Sequence, residues 1–268
     1  MPARPADAAT FRALHNELLL LPNAWDAASA RVVQEAGAKA IATSSAAVAW
    51  AHGFPDGHGL PVAKLASVVE EIARVVSVPI SVDSEGGYSD DPSEVERNIA
   101  MLIGAGGVGV NLEDGRGPHD LHLKKIEAAR NAAEREGVKL YINARTDVYL
   151  KKLVPPEQAL DETLRRGWAC KKAGASGLFV PGLIDAKLIG AIVHEVDIPI
   201  NVITMPGLPN AAELKALGVK RLSGATRIFG VAMAAARAAA EDFLRDGDSD
   251  ALAQRMGKPP PWNDLFKR

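Results

Sequence analysis

Cysteine is almost missing from this chain: Cys170 is the single one in 268 residues. One thiol cannot close an intrachain disulfide, and it excludes a metal cage built from several cysteines. Aromatic residues are scarce as well, at 5%, and the charges nearly cancel, with 31 Lys and Arg against 33 Asp and Glu. A nucleic-acid surface needs a basic stripe interleaved with stacking side chains, so no nucleic-acid partner is expected. Long apolar runs are lacking too. Near the N-terminus the run "LLLL" meets Pro22 and Asn23 at once. That is too short for the apolar core of a secretory leader, so a cytoplasmic protein without a membrane partner is expected.

What the chain does contain is 47% hydrophobic residues in a length suited to one large core. No linker rich in Pro, Gly or Ser divides it. Short apolar runs predict strands at Leu18 to Leu21, Ala40 to Thr43, Ile80 to Asp83, Val108 to Leu112, Leu140 to Ala144, Leu178 to Val180, Ile200 to Ile203 and Arg221 to Ser223. Unbroken apolar runs of this kind are expected of strands covered on both faces. Between them lie segments of helical spacing that mostly end in glycine, such as "AASARVVQEAGAK", "DPSEVERNIAMLIGAG", "LHLKKIEAARNAAEREG" and "EQALDETLRRGWACKKAGA". Eight strands alternating with helices predict an α/β protein with a (β/α)8 barrel, and a doubly wound open sheet is the weaker alternative. Residues 1–245 are assigned to the barrel and 246–268 to an extension that packs on the barrel or on a neighbouring subunit.

In such barrels the reacting groups stand where strands end. Consecutive strands here end in "ATSS", "SVDSE", "NLED" and "NARTD". They deliver Thr43, Ser44 and Ser45, then Asp83 and Glu85, then Glu113 and Asp114, then Arg145 and Asp147 to one rim. Any one of these residues equally reads as a helix cap, and the carboxylates equally read as partners of surface Lys and Arg. Four adjacent strand ends together favour a site. Residues two apart on a strand face the same side, which puts Asp83 and Glu85 at the mouth with Glu113 beside them. Crowded carboxylates repel unless a proton or a cation joins them. An all-oxygen donor set with room for water suits Mg2+, with Mn2+ as the alternative.

The stretches "NAWDAASARVVQEAGAKAIATSSAAVAWAHGFPDG", "VDSEGGYSDDP", "GVGVNLEDG" and "NARTD" resemble the isocitrate lyase and phosphoenolpyruvate mutase superfamily, over about residues 22–225. The resemblance implies a modified (β/α)8 barrel, a homo-oligomer (dimer or tetramer) that exchanges its eighth helix, Mg2+, and a small 2-oxo or 2-hydroxy carboxylate substrate. By position it makes Asp83 the principal metal carboxylate, with Glu85 and Glu113 acting through metal-bound water. Ser44 and Ser45 fall where the substrate's carboxylate and oxo oxygen are held. Arg145 falls on the substrate-binding arginine, and Asp56 in "FPDG" on an aspartate that faces the site. Asp56, Glu113 and Arg145 are the expected catalytic residues, and Asn201 at the seventh strand is a further substrate contact.

The departures from the family pattern matter as much. The loop after the fourth strand reads "EDGRGPHDLHLKKIEAARN". It lacks the Lys-Lys-Cys-Gly-His motif of the lyases and the longer polar lid of the mutases. Pro181 stands where the mutase has a histidine. The expected activity is therefore a Mg2+-dependent lyase that breaks a carbon-carbon bond or decarboxylates through an enolate. The alternatives are carbon-phosphorus mutase or hydrolase chemistry, and a 2-oxo-acid-binding protein with little turnover. His119 and His122, read as part of the shortened lid, are candidates for the missing acid, against a plain reading as solvated loop residues. Trp50 reads as a wall of the pocket or core, and Cys170 as a packing cysteine within a helix.

Overall fold

The computed structural model describes residues 2–258 and 260–267. Among the described residues nine strands, all paired in parallel, run in the order β1-β9-β8-β7-β6-β5-β4-β3-β2. They are β1 Leu19–Leu21, β2 Asn23–Ala24, β3 Ile41–Thr43, β4 Ile80–Asp83, β5 Gly107–Glu113, β6 Tyr141–Arg145, β7 Gly177–Phe179, β8 Ile200–Ile203 and β9 Arg221–Ser223. Only Pro22 separates β1 from β2. Proline has no N–H to give to a ladder, so one strand is split into a half that pairs with β9 and a half that pairs with β3. The circle thus closes as an eight-stranded barrel with a broken first strand, as the alternation of elements predicts, and the open sheet is excluded.

The helices follow the expected segments: α2 Ala27–Glu35, α5 Pro92–Gly104, α6 His119–Arg135 and α7 Ala159–Lys172. The start of α2 is fixed by a capping box, in which Asp26 accepts from the Ser29 amide at 2.7 Å while Ser29 Oγ accepts from the Asp26 amide. Alternating with the strands are also α3 Ser45–Ala51, α4 Val62–Val75, α8 Ala186–Val196 and α9 Ala211–Ala216. The sequence reading did not anticipate α1, Pro5–Leu14, which closes the N-terminal end of the barrel. Phe11 from this helix lies edge-on to Tyr141 and against Gly109, where a Cβ would come within 2.7 Å of the Phe11 ring. Glycine at 109 is what lets the plug seat. Most buried side chains of the barrel, from Phe11 and Leu21 to Ile142 and Cys170, belong to one continuous core.

The last long helix, α10 Arg227–Asp246, differs from α1 to α9 in having no buried residue. It touches the barrel through Phe229, which packs on Trp25 and Trp50. Trp50 is 48% exposed and so does not belong to the core. Two short helices follow, α11 Ser249–Met256 and α12 Trp262–Leu265. The end of the tail shares a cleft with Arg31, Arg74 and Val75 of the barrel. No helix among the described residues is long and apolar enough to cross a membrane.

Candidate active site

Register places the expected residues on one rim. Asp83 pairs with Asn111 across β4 and β5, and Glu113 pairs with Arg145 across β5 and β6. Asp83 ends its strand and is buried. Its Oδ2 accepts from both the amide and the hydroxyl of Ser45, at 3.0 and 2.9 Å. Its own amide donates to Thr43 Oγ1 at 2.8 Å. The turn into α3 therefore exists to hold Asp83, and Ser45 is committed to that task. Ser44 caps α3 by accepting from the Ala47 amide.

Glu85 reaches the site by a route other than strand alternation. β4 stops at Asp83, and Glu85 sits in a turn with φ +48°, in the left-handed region that few non-glycine residues occupy. Its buried carboxylate accepts from the amide of His58 and from Tyr88 Oη, the latter at 3.3 Å. His58 in turn accepts from the Gly86 amide through Nε2 at 3.1 Å, which puts the ring proton on Nδ1. The loop that carries Asp56 is thus tied to the turn that carries Glu85. Asp56 itself is exposed, and its place at the edge of the mouth rests on that loop.

Glu113 and Arg145 form an ion pair, Oε2 to Nη1, of 2.7 Å. Arg145 also directs Nε and Nη2 at the fully buried Asp147, at 2.7 and 3.2 Å, and stacks over Phe179. Lys151 approaches both acids, at 2.8 Å from Asp147 and 3.5 Å from Glu113. Asp114 faces away from the mouth and accepts from Thr146, the Asp147 amide and Arg166. It is a structural brace. Asn201 is buried, accepts from Ser223 Oγ, and leaves its Nδ2 unpaired inside the barrel. The sequence reading missed Tyr88, Lys151 and Phe179, which act on site residues from separate loops and strands. It also misplaced the two lid histidines. His119 and His122 are buried on α6, outside the barrel wall, because the loop before that helix is only residues 114–118.

Electrostatics mark the carboxylates as strained neighbours. Burial raises the Glu85 pKa to about 7, the His58 amide opposes this, and Asp83, Asp56 and Glu113 push further upward. Burial also raises Glu113, and Arg145 pulls it back. Burial works against the charge of Arg145, yet Glu113 and Asp147 more than offset it and raise its pKa. Buried carboxylates that also repel one another favour a proton or a cation between them.

The match to known proteins is extensive. The family described as phosphoenolpyruvate phosphomutase matches residues 11–244. An uncharacterized protein of Mycobacterium tuberculosis is 31% identical over 241 residues, covering 89% of this chain and 90% of that one. An oxaloacetate decarboxylase of Pseudomonas fluorescens is 29% identical, covering 79% of this chain and 75% of its own. Among solved structures, a "putative phosphonomutase" from Burkholderia cenocepacia superposes with a TM-score of 0.84 at 44% identity, over 88% of this chain and 99% of that one.

Proposed function

Because the chain belongs to the phosphoenolpyruvate mutase family, within the superfamily that includes the isocitrate lyases, we propose that it is a Mg2+-dependent lyase. It would cleave a carbon-carbon bond or remove CO2 from a small 2-oxo or 2-hydroxy carboxylic acid. The observation that carries this reading is the rim itself: Asp83, Glu85 and Glu113 converge beside an arginine, with no thiol among them and with the neighbouring His58 imidazole taken up by the Gly86 amide. Their oxygens suit a hard cation. The ligand oxygens of the three carboxylates do not all lie within 4.8 Å of one another among the described residues. Direct binding by Asp83, with Glu85 and Glu113 reaching through water, fits that spacing.

When bound there, Mg2+ would draw electron density from the substrate's carboxylate and C2 oxygen. The protein does the rest. Ser45 fixes Asp83, and the first turn of α3 presents an amide, that of Ala46, which has no partner within the helix. Arg145 has five N–H groups. Those not turned to Asp147 and Glu113 remain for a substrate carboxylate, and Asp147 keeps the fork in place. As the bond from C3 breaks, its electron pair passes to the enolate. Solvent supplies the proton at C3, since the short loop after β5 carries no acid to the mouth. This loop lacks the lyase motif, which favours decarboxylation or a similar cleavage over isocitrate cleavage. The relative named as an oxaloacetate decarboxylase supports the same class.

Carbon-phosphorus chemistry is the second reading, supported by the 44% identical solved relative. One assay separates the two. A panel of 2-oxo and 2-hydroxy acids and phosphonopyruvate is incubated with Mg2+, and CO2, pyruvate, glyoxylate and phosphate are followed. Asp83→Asn serves as the control, because asparagine still accepts from Ser45 but lacks the charge for the cation. Release of CO2 or pyruvate from the phosphorus-free acids that depends on Mg2+ and on Asp83 supports the lyase. Turnover of phosphonopyruvate instead, by hydrolysis to pyruvate and phosphate or by isomerisation to phosphoenolpyruvate, would replace it with the second reading. Binding of oxalate with no product from any acid would mean a binding protein.

The same reading includes self-association. A groove of about 920 Å3 runs over β1 and β9 beside α2, lined by Leu18, Leu20, Val32, Ala36, Leu222 and Ile228. An eighth helix would ordinarily cover this part of a barrel wall, and here α10 has no buried residue. Exchange of α10 between copies fills the groove.

A further inference from the structure

On the outer wall of the barrel, behind the loop between β5 and α6, two helices gather three side chains that the proposed reaction does not use. His119 and His122 are three residues apart on α6 and so share a face. Cys170 meets them from α7. One ligand atom from each lies within 4.8 Å of the others, and all three residues are buried. His122 Nε2 is 2.9 Å from the carbonyl oxygen of Leu112, a contact that needs the ring N–H. Nδ1 is left with a lone pair and lies 3.8 Å from Cys170 Sγ. His119 is only 8% exposed, yet neither of its ring nitrogens has a partner. Buried polar atoms are rarely left in that state without a reason.

We propose that His119, His122 and Cys170 are the protein ligands of a second metal site, distinct from the carboxylates of the barrel mouth, and that it takes Zn2+. Two imidazoles and one sulfur form a donor set that suits Zn2+ and not Mg2+. With ordinary Zn–N and Zn–S lengths, neighbouring nitrogen and sulfur ligands of a tetrahedral site stand about 3.5 to 3.6 Å apart. The Nδ1 to Sγ separation of 3.8 Å is slightly wider, a gap that a small side-chain shift closes. The Leu112 bond leaves His122 Nδ1 free and His119 has both ring nitrogens unpartnered, so each ring has a lone pair to give. Metal uptake displaces the Cys170 proton to solvent as the Zn–S bond forms. The bond from His122 Nε2 to the Leu112 carbonyl oxygen fixes the tautomer that such a ligand needs. The consequence is mechanical. His119 opens α6 immediately after residues 114–118, so an ion at this point clasps α6 to α7 behind Glu113 and braces the loop at the mouth.

Chelator-treated protein, saturated with Mg2+ to occupy the mouth, is titrated with Zn2+ by calorimetry and separately with Co2+ as an absorbing probe. The wild type is expected to take up one Zn2+ per chain, to melt at a higher temperature when loaded, and to give a thiolate-to-Co2+ charge-transfer band in the near ultraviolet. Cys170→Ser should lose the band, and both it and His119→Gln should bind Zn2+ at least about tenfold more weakly. Neither variant removes the Leu112 bond, and the cobalt band of the wild type needs no variant at all. Asp83→Asn should keep the full uptake. The proposal is overturned if the wild type takes up no stoichiometric Zn2+, if its cobalt spectrum lacks the sulfur band, or if Cys170→Ser binds Zn2+ as the wild type does. Loss of uptake in Asp83→Asn would also overturn it, by assigning the ion to the mouth.

Discussion

Arg145 and Glu85 show how single side chains are tuned by groups distant in sequence. The guanidinium is held by a two-point grip on Asp147 and an ion pair to Glu113. Lysine has the charge but not the planar fork. Arg145→Lys should therefore lower turnover by about a hundredfold through misplacement of the substrate. It should also destabilise the fold by roughly 1–3 kcal/mol, because buried Asp147 loses hydrogen bonds and keeps only Lys151. Steady-state kinetics and urea unfolding measure the two effects, and wild-type kinetics would remove Arg145 from the substrate. Glu85 gives a pH signature in the metal-free protein. Its folded pKa of about 7 lies above the ordinary value of 4.5. Between those values the folded state binds more protons than the unfolded state, so this residue's contribution falls as pH rises through that window. The loss amounts to about 3 kcal/mol at most. His58, whose pKa burial lowers, acts in the opposite sense. The difference between wild type and Glu85→Gln isolates the carboxylate: the variant should gain relative stability as pH rises from about 4.5 to 7, and added Mg2+ should shrink that gain. A pH-independent difference would refute the assignment.

Elements place these residues through their ends and turns. The short loop before α6 is why the two histidines become part of a packed helix and never reach the mouth. The turn after β4 shows the opposite outcome. Glu85 leaves strand geometry, and the next residues must reverse the chain in a confined space. Gly87 has φ +85°, and a Cβ there would meet Val95 at 2.8 Å. Its carbonyl is held by Asn98 Nδ2 at 3.0 Å. Gly87→Ala should cost at least about 1 kcal/mol and disturb the His58 and Tyr88 contacts to Glu85, since an L residue is strained at that φ. A lowered urea midpoint together with reduced Mg2+ affinity is the expected result. Unchanged affinity would uncouple the turn from the metal site.

For the whole molecule, the question is what covers the barrel where α10 leaves it bare. Val231 and Leu244 on α10 are 72% and 81% exposed, and the groove over β1 and β9 is apolar. A surface of this kind signals association. Sedimentation should find a dimer or tetramer, and Val231→Asp with Leu244→Asp should shift it towards monomer. A monomeric wild type at micromolar concentration would show that the groove and α10 are not partners. Asp264, Leu265, Phe266 and Lys267 near the end of the tail line a cleft together with Arg31 and Arg74 of the barrel.

The sequence alone determined the order of the eight barrel strands and of the main helices between them, though not α1, because short apolar runs and glycine-ended amphipathic segments are local properties of the chain. It also determined which strand ends carry Ser44, Asp83, Glu113 and Arg145, since the start and stop of each strand are written in neighbouring residues. Tertiary structure decided whatever depends on contact between distant segments. It turned Ser45 onto Asp83, brought His58 to Glu85 across a loop, and matched Arg145 to Asp147 and Phe179. It also split the first strand at Pro22 between two partners, and buried His119 and His122 against Cys170. Periodicity records which face of an element is apolar, but which partner that face meets follows only from closure of the barrel.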